Sequence, residues 1–165
     1  SVAIGQGEIG ATPLQLANLA AIIANKGWYI PPHIVRAIGH PDSLNPRYKN
    51  KIVVPINEKY FDLIVEGMEK AVTSGTATIA QLPEIRVAAK TGTAQDPPRK
   101  SHSVFIAFGP VENPKIAIAV LVENAGWGAS YGGPIASLMM EKYLTDTIKR
   151  TDLENRMKAA DFLIK

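Results

Sequence analysis

Three short apolar runs rich in Val, Ile and Phe, at residues 85–93, 103–109 and 115–123, constrain this chain more than any other feature. Their length and composition predict β-strands. The second and third are separated by Pro110-Val111-Glu112-Asn113-Pro114, a turn-rich link that predicts an antiparallel hairpin. Short links favour pairing between neighbours in sequence. The 103–109 strand is therefore expected in the middle, between the strand of Lys90 and the strand of Lys115.

The rest of the chain punctuates itself into helices. Thr12-Pro13-Leu14-Gln15 places a capping Thr before a Pro at the first helical position, with Gln15 at the capping-box partner position. Leu16, Leu19, Ala20 and Ile23 follow at helical spacing, and Asn25-Lys26-Gly27 ends the helix. Small and apolar residues also line its other faces, which predicts burial on most sides. Between Trp28 and Pro55 five prolines break any long helix, and extended segments are expected at 34–38 and 51–54, joined by an exposed loop. A second helix is expected from Asn57 to about Val72, with Phe61, Ile64, Val65, Met68 and Val72 as its apolar stripe. A third begins near Pro134, burying Ala136, Met139, Met140, Tyr143 and Leu144. A short helix in the tail from Asp152 carries Leu153, Met157, Ala160 and Ile164. The order helices, antiparallel strands, helices is an α+β arrangement, an antiparallel sheet flanked by helices rather than a doubly wound fold.

Composition removes several classes of function. The 165 residues, 46% hydrophobic and 20% charged, are an ordinary globular mixture of a length that suits one domain or a large part of one. Net charge is only +3 with scattered basic residues, so no nucleic-acid partner is indicated. The longest uninterrupted apolar stretch, residues 116–122, is far too short to span a bilayer. Zero cysteines exclude disulfide frameworks, thiol nucleophiles and Cys-based zinc sites. His33, His40 and His102 share no metal-ligand spacing, so no metal and no cofactor are expected.

The most informative tetrapeptide is Lys90-Thr91-Gly92-Thr93, at the end of a predicted strand. A given K-T-G-[ST] arises by chance in roughly one in a hundred chains of this length, or fewer. Read blandly, its Gly permits a bulge or turn at a strand end. Read chemically, it offers one ammonium, two hydroxyls and a bare backbone, with no Cβ at Gly92 to hold another chain away. Such an edge can pair with an extended peptide and hold its terminal carboxylate by charge-assisted hydrogen bonds.

With that motif the chain resembles the transpeptidase domain of penicillin-binding proteins, where K-T-G is one of three signatures, and in particular the elongation-type class called penicillin-binding protein 2. Ile4-Gly5-Gln6-Gly7, Thr12-Pro13-Leu14-Gln15-Leu16-Ala17, Ala24-Asn25-Lys26-Gly27 with Pro32, and Ser74-Gly75-Thr76-Ala77 are similar to family segments in the same order. So are residues 102–110 and 115–123, and the resemblance covers about residues 1 to 145. It implies the penicillin-binding serine transpeptidase fold, D-Ala-D-Ala transpeptidation of peptidoglycan through an acyl-serine, and β-lactam binding. It further implies an extracytoplasmic, periplasmic location with the membrane anchor outside this chain. Stem peptides, β-lactams and cell-wall elongation proteins are the implied partners. By the same resemblance Lys90 supplies positive potential, the Thr91 and Thr93 hydroxyls hold the substrate carboxylate, Gly92 allows close approach, and the Thr93 backbone N–H is an oxyanion donor.

One departure sets the domain reading. The family's nucleophile lies in S-x-x-K, and no Ser here has a Lys three residues later. Its S-x-N motif belongs ahead of Gly5-Gln6-Gly7, whereas Ser43-Leu44-Asn45 follows it in a Pro-rich loop and reads as a decoy. Residues 1–165 are therefore expected to be the C-terminal part of a single transpeptidase domain, inactive alone. A serine β-lactamase or β-lactam sensor fragment, and a non-catalytic peptide-binding or assembly module, are the rival readings. Among the remaining candidates, Gly5-Gln6-Gly7 reads as a turn before a helix. Residues 124–133, with Trp127 and Tyr131 among glycines, read equally as the wall of a cleft or a flexible connection. Glu66 and Glu69 read as a solvated helix face, and the basic cluster at 47–51 as surface.

Overall fold

The computed structural model describes residues 2–40, 43 and 45–161. Helix α1, Pro13–Ala24, starts as its sequence dictates: Thr12 Oγ1 accepts the Gln15 N–H while Gln15 Oε1 accepts the Thr12 N–H. Pro13 occupies the first turn, where no donor is needed. Gly27 then turns the chain with φ +107°, so close to Phe61 that a Cβ there would lie 2.9 Å from its ring. Only Ala20 and Ile23 of α1 are buried, while Leu14 and Leu19 are exposed, so the expectation of burial on most sides does not hold among the described residues.

Beyond Gly27, strand β1 (Trp28–Tyr29) pairs antiparallel with β2 (Ile52–Val53). The segment expected to be extended at 34–38 forms no strand; Ile38 makes one isolated bridge to His40. Pro31 and Pro32 remove two donors just ahead of it, and Ile34 and Ile38 lie exposed. Helix α2, Lys59–Thr73, starts two residues later than expected: Glu58 stands at its N-cap with no side-chain cap, and Asn57 Oδ1, one residue further out, accepts the Lys59 N–H. Phe61, Met68 and Val72 are buried and Val65 half-buried, whereas Ile64 lies exposed, off this seam.

The main sheet holds β3 (Ala88–Ala94), β4 (His102–Gly109) and β5 (Ile116–Val122) in the order β3-β4-β5, antiparallel throughout. The 103–109 strand is thus in the middle, as its short links require. β3 begins three residues later than expected, because Ile85 closes a bridge with Leu82. Arg86 meanwhile faces Glu69 and Glu112 in ion pairs. The period-2 alternation of the strands then sorts two cores. On one face Ala89, Phe105, Ala107 and Ile118 pack with Val72, Ala77 and Ala80 and with Ala136 and Met140 of helix α3, Gly132–Thr145. On the other, Ala88 and Phe108 pack with Ile23 of α1 and Met68 of α2.

α3 seats its first turn through Gly132 and Gly133. A Cβ at Gly133 would come within 2.7 Å of Ile79. Its seam runs through Ala136, Met140 and half-buried Leu144, four apart; the expected Met139 and Tyr143 instead point outward. Ser137 and Glu141 are buried in their place. Helix α4, Thr151–Lys158, half-buries Leu153 and Met157, with Ala160 just beyond its end. Ile164 of the expected stripe lies outside the described residues.

Candidate active site

Ala88 and Ala89 anchor the start of β3 in the two cores, fully buried, and the strand then rises to the surface: Lys90 is exposed and Thr91, Gly92 and Thr93 are half-buried. β3 pairs only with β4, so its other edge is open among the described residues. Alternation places Lys90 and Gly92 on the face of α1, and Thr91 and Thr93 on the face of α3. The Lys90 ammonium donates to the Thr91 carbonyl at 2.7 Å, which holds the charge beside the open edge. Thr91 Oγ1 lies 2.9 Å from Thr76 Oγ1, tying the strand to the segment that follows α2.

Residues 124–133 settle between their two readings. Asn124 N–H donates to His102 Nδ1 at 3.0 Å and Gly126 N–H to the Ser101 carbonyl at 2.7 Å. Gly128 N–H donates to Thr93 Oγ1 at 3.3 Å, and the Gly128 carbonyl accepts from buried Ser103 Oγ at 3.1 Å. These bonds lay the segment as a wall over β3 and β4. Gly128 approaches so closely that a Cβ there would sit 2.3 Å from Gly92 O, 2.6 Å from Val104 O and 2.9 Å from Gly92 N. Those three atoms cluster only if Gly92 turns its N–H and C=O toward Val104, its partner on β4. The Thr91 and Thr93 N–H groups, one residue to either side, therefore point to the open edge.

The remaining candidates fall elsewhere. Ser43 Oγ accepts the Ile38 N–H and donates to the His40 carbonyl, and Asn45 caps a single 3-10 turn at Pro46–Tyr48; Leu44 lies outside the described residues. Glu66 pairs with Lys70, whose hydrogen bond holds the Glu66 carboxyl below the ordinary carboxylate value. Glu69 pairs with Arg86, so the two glutamates form no catalytic pair. Lys51 of the basic cluster lies 3.8 Å over the Trp28 ring. Among the described residues no three His, Asp or Glu side chains gather as a metal site. His102 is instead a link, with Nε2 3.5 Å from Asp96 Oδ2. Reasoning from sequence missed Thr76 and Gln6, whose Oε1 accepts the Gln95 N–H at 3.0 Å just past the motif. The Gly-Gln-Gly spelling was visible, but its destination 89 residues away was not.

Comparison with known proteins decides the lineage. Residues 1–142 match the penicillin-binding protein transpeptidase domain. The chain belongs to that family. A peptidoglycan D,D-transpeptidase, MrdA, of Haemophilus influenzae is 33% identical over 177 residues, covering 94% of this chain and 27% of the relative. Penicillin-binding protein 2 of Pseudomonas aeruginosa, solved with WCK 5153, superposes with a TM-score of 0.76 at 34% identity, over 91% of this chain and 34% of that one. Penicillin-binding protein A of Mycobacterium tuberculosis, solved as an imipenem acyl-enzyme, has a TM-score of 0.70 at 33% identity, over 86% of this chain and 33% of that one. The penicillin-binding protein 2 type expected from the motif segments is thus shown, as is the mixed α+β fold with its antiparallel sheet. The chain spans only about a quarter to a third of these relatives' lengths.

Proposed function

We propose that this chain is the C-terminal part of the transpeptidase domain of a longer penicillin-binding protein, and that it supplies the substrate-binding strand for D-Ala-D-Ala cross-linking on the extracytoplasmic face of the membrane. The observation that carries the reading is the open edge of β3, where the Thr91 carbonyl holds the Lys90 ammonium and the Thr93 N–H points outward.

An extended stem peptide adds to this edge as a further strand. Lys90 attracts its terminal carboxylate. The Thr93 hydroxyl, already accepting the Gly128 N–H, keeps its own proton to donate to that carboxylate. Thr91 shares its hydroxyl with Thr76 and adds a second polar contact from the same side. Gly92 leaves the approach unobstructed, and the Thr93 N–H stabilises the oxyanion formed when a serine from outside this chain attacks the penultimate D-Ala carbonyl. The tetrahedral intermediate expels D-Ala as its amine takes up a proton. An amine of a neighbouring stem peptide then displaces the serine and closes the cross-link. A β-lactam carboxylate and carbonyl occupy the same two positions.

The test is made on the longer protein. Lys90→Ala is expected to slow β-lactam acylation about tenfold to a hundredfold, the worth of one charge-assisted contact of about 1.5–3 kcal/mol, with the melting temperature nearly unchanged. Thr93→Val should also slow acylation while its backbone N–H survives. Parental acylation rates in both variants would reduce the motif to a strand end. Hydrolysis of penicillin with turnover, in place of a long-lived adduct, would favour the β-lactamase reading.

A further inference from the structure

The open edge of β3 has an end. In an antiparallel ladder alternate N–H groups point the same way, so the next outward position after Thr91 and Thr93 falls on Gln95, the residue just past the end of β3. The Gln95 N–H is already taken: Gln6 Oε1 accepts it at 3.0 Å. Gln6 reaches this position because Gly5 and Gly7, with φ +78° and +106°, bend the backbone on both sides of it, a conformation that costs glycine little. The side chain is half-buried against the strand end, although its neighbours are exposed. Thr93 therefore carries the last outward donor of the edge, and the next is sealed by a residue from the other end of the chain.

We propose that Gln6 is a register stop for the peptide bound on β3, an inference that rests on the function proposed above. Pairing along a strand edge repeats every two residues, about 6.8 Å. An edge that continued past Thr93 would let an extended peptide slide by one repeat and keep all its backbone hydrogen bonds. The slipped peptide would carry its carboxylate away from Lys90 and present the wrong carbonyl to the Thr93 N–H. With Gln95 closed, only the terminal residues pair, and the upstream part of the stem must leave the edge beside Thr93. Gln6 is thus a positioning residue for peptides. A β-lactam bicycle is too short to reach Gln95 and does not depend on it.

The experiment uses the longer protein containing this chain, with Gln6→Leu, which removes the acceptor at similar size, and Gln6→Glu, which keeps an acceptor oxygen. Acylation is measured with a thioester peptide ending in a D-Ala analogue and with penicillin, and exchange of the Gln95 amide hydrogen is followed in parallel. In Gln6→Leu the Gln95 amide is expected to exchange faster and peptide acylation to fall about five- to tenfold, the scale of one backbone hydrogen bond. Penicillin acylation should be unchanged, and Gln6→Glu should restore both altered readouts. An unchanged ratio of peptide to penicillin rates in Gln6→Leu overturns the stop. So does an equal fall in both rates, which marks a merely structural contact. A wild-type protein acylated by neither substrate overturns the proposed function itself.

Discussion

Gly128 lies directly above the hydrogen-bonded pair of Gly92 and Val104, and no other side chain fits there. Gly128→Ala is expected to cost about 1–3 kcal/mol by overpacking, read as a lower denaturant midpoint, and to slow β-lactam acylation in the longer protein by displacing the Thr93 hydroxyl. At this scale the tetrapeptide at 90–93 was legible because its chemistry is written in adjacent letters. The groups that support it were not. Thr76 is 15 residues away, Gln6 is 89 residues from Gln95, and Gly128 is 35 residues from Thr93, and no periodicity links such pairs. The alternation that sends Lys90 and Thr91 to opposite faces was implicit in the strand assignment, yet only the packing of α1 and α3 fixes which layer meets each face.

Among elements, the junction of α3 and α4 rests on a buried charge. Glu141, its side chain 4% exposed, accepts from Arg150 Nε at 2.9 Å and from the Lys149 N–H at 3.1 Å. Arg150 also donates to the Ile79 and Ser137 carbonyls, joining three segments. Arg150→Met leaves Glu141 buried without its cation and is expected to cost about 3–5 kcal/mol, measurable by urea denaturation. Glu141→Gln, which removes the charge together with the pair, should cost less. Around α2 the ion pairs are exposed and weaker. Glu112 is held below the ordinary carboxylate value first by its own backbone N–H and then by Arg86, and Glu66 by Lys70. Depressed folded-state values mean that their stabilisation is complete above about pH 4.5 and is lost as pH falls below it. The melting temperature should therefore drop on acidification below that point, and less steeply in Arg86→Met with Lys70→Met. The start of α1 was legible from its capping box and its end from Asn25-Lys26-Gly27. The buried face of α3 was not, because polar Ser137 and Glu141 occupy the seam that hydrophobicity assigned to Met139 and Tyr143.

For the molecule as a whole, Leu14 and Leu19 of α1, Leu63 and Ile64 of α2 and Ile34 are exposed. Apolar surface of this extent promotes association, and light scattering of the isolated chain should show mass rising with concentration. Intact-mass measurement after labelled penicillin should show no acyl adduct, since no S-x-x-K serine is present. The antiparallel order of the main sheet was legible because its links are short; the Trp28–Tyr29 pairing with Ile52–Val53 was not, because a long Pro-rich loop separates its halves.

The wall at 124–133 also divides the chain into places where its length is free to vary and places where it is not. Asn124, Gly126, Gly128 and Gly132 of that wall are bonded to β3, β4 or their connection, so one inserted residue would shift Gly128 off the strand pair and put a side chain in its place. The exposed stretch around 33–40 bonds locally instead, Ile38 to Ser43 and to His40. In a library of single-residue insertions, tolerated ones should accumulate there and be absent from the wall, an insertion map of the site drawn without any substrate.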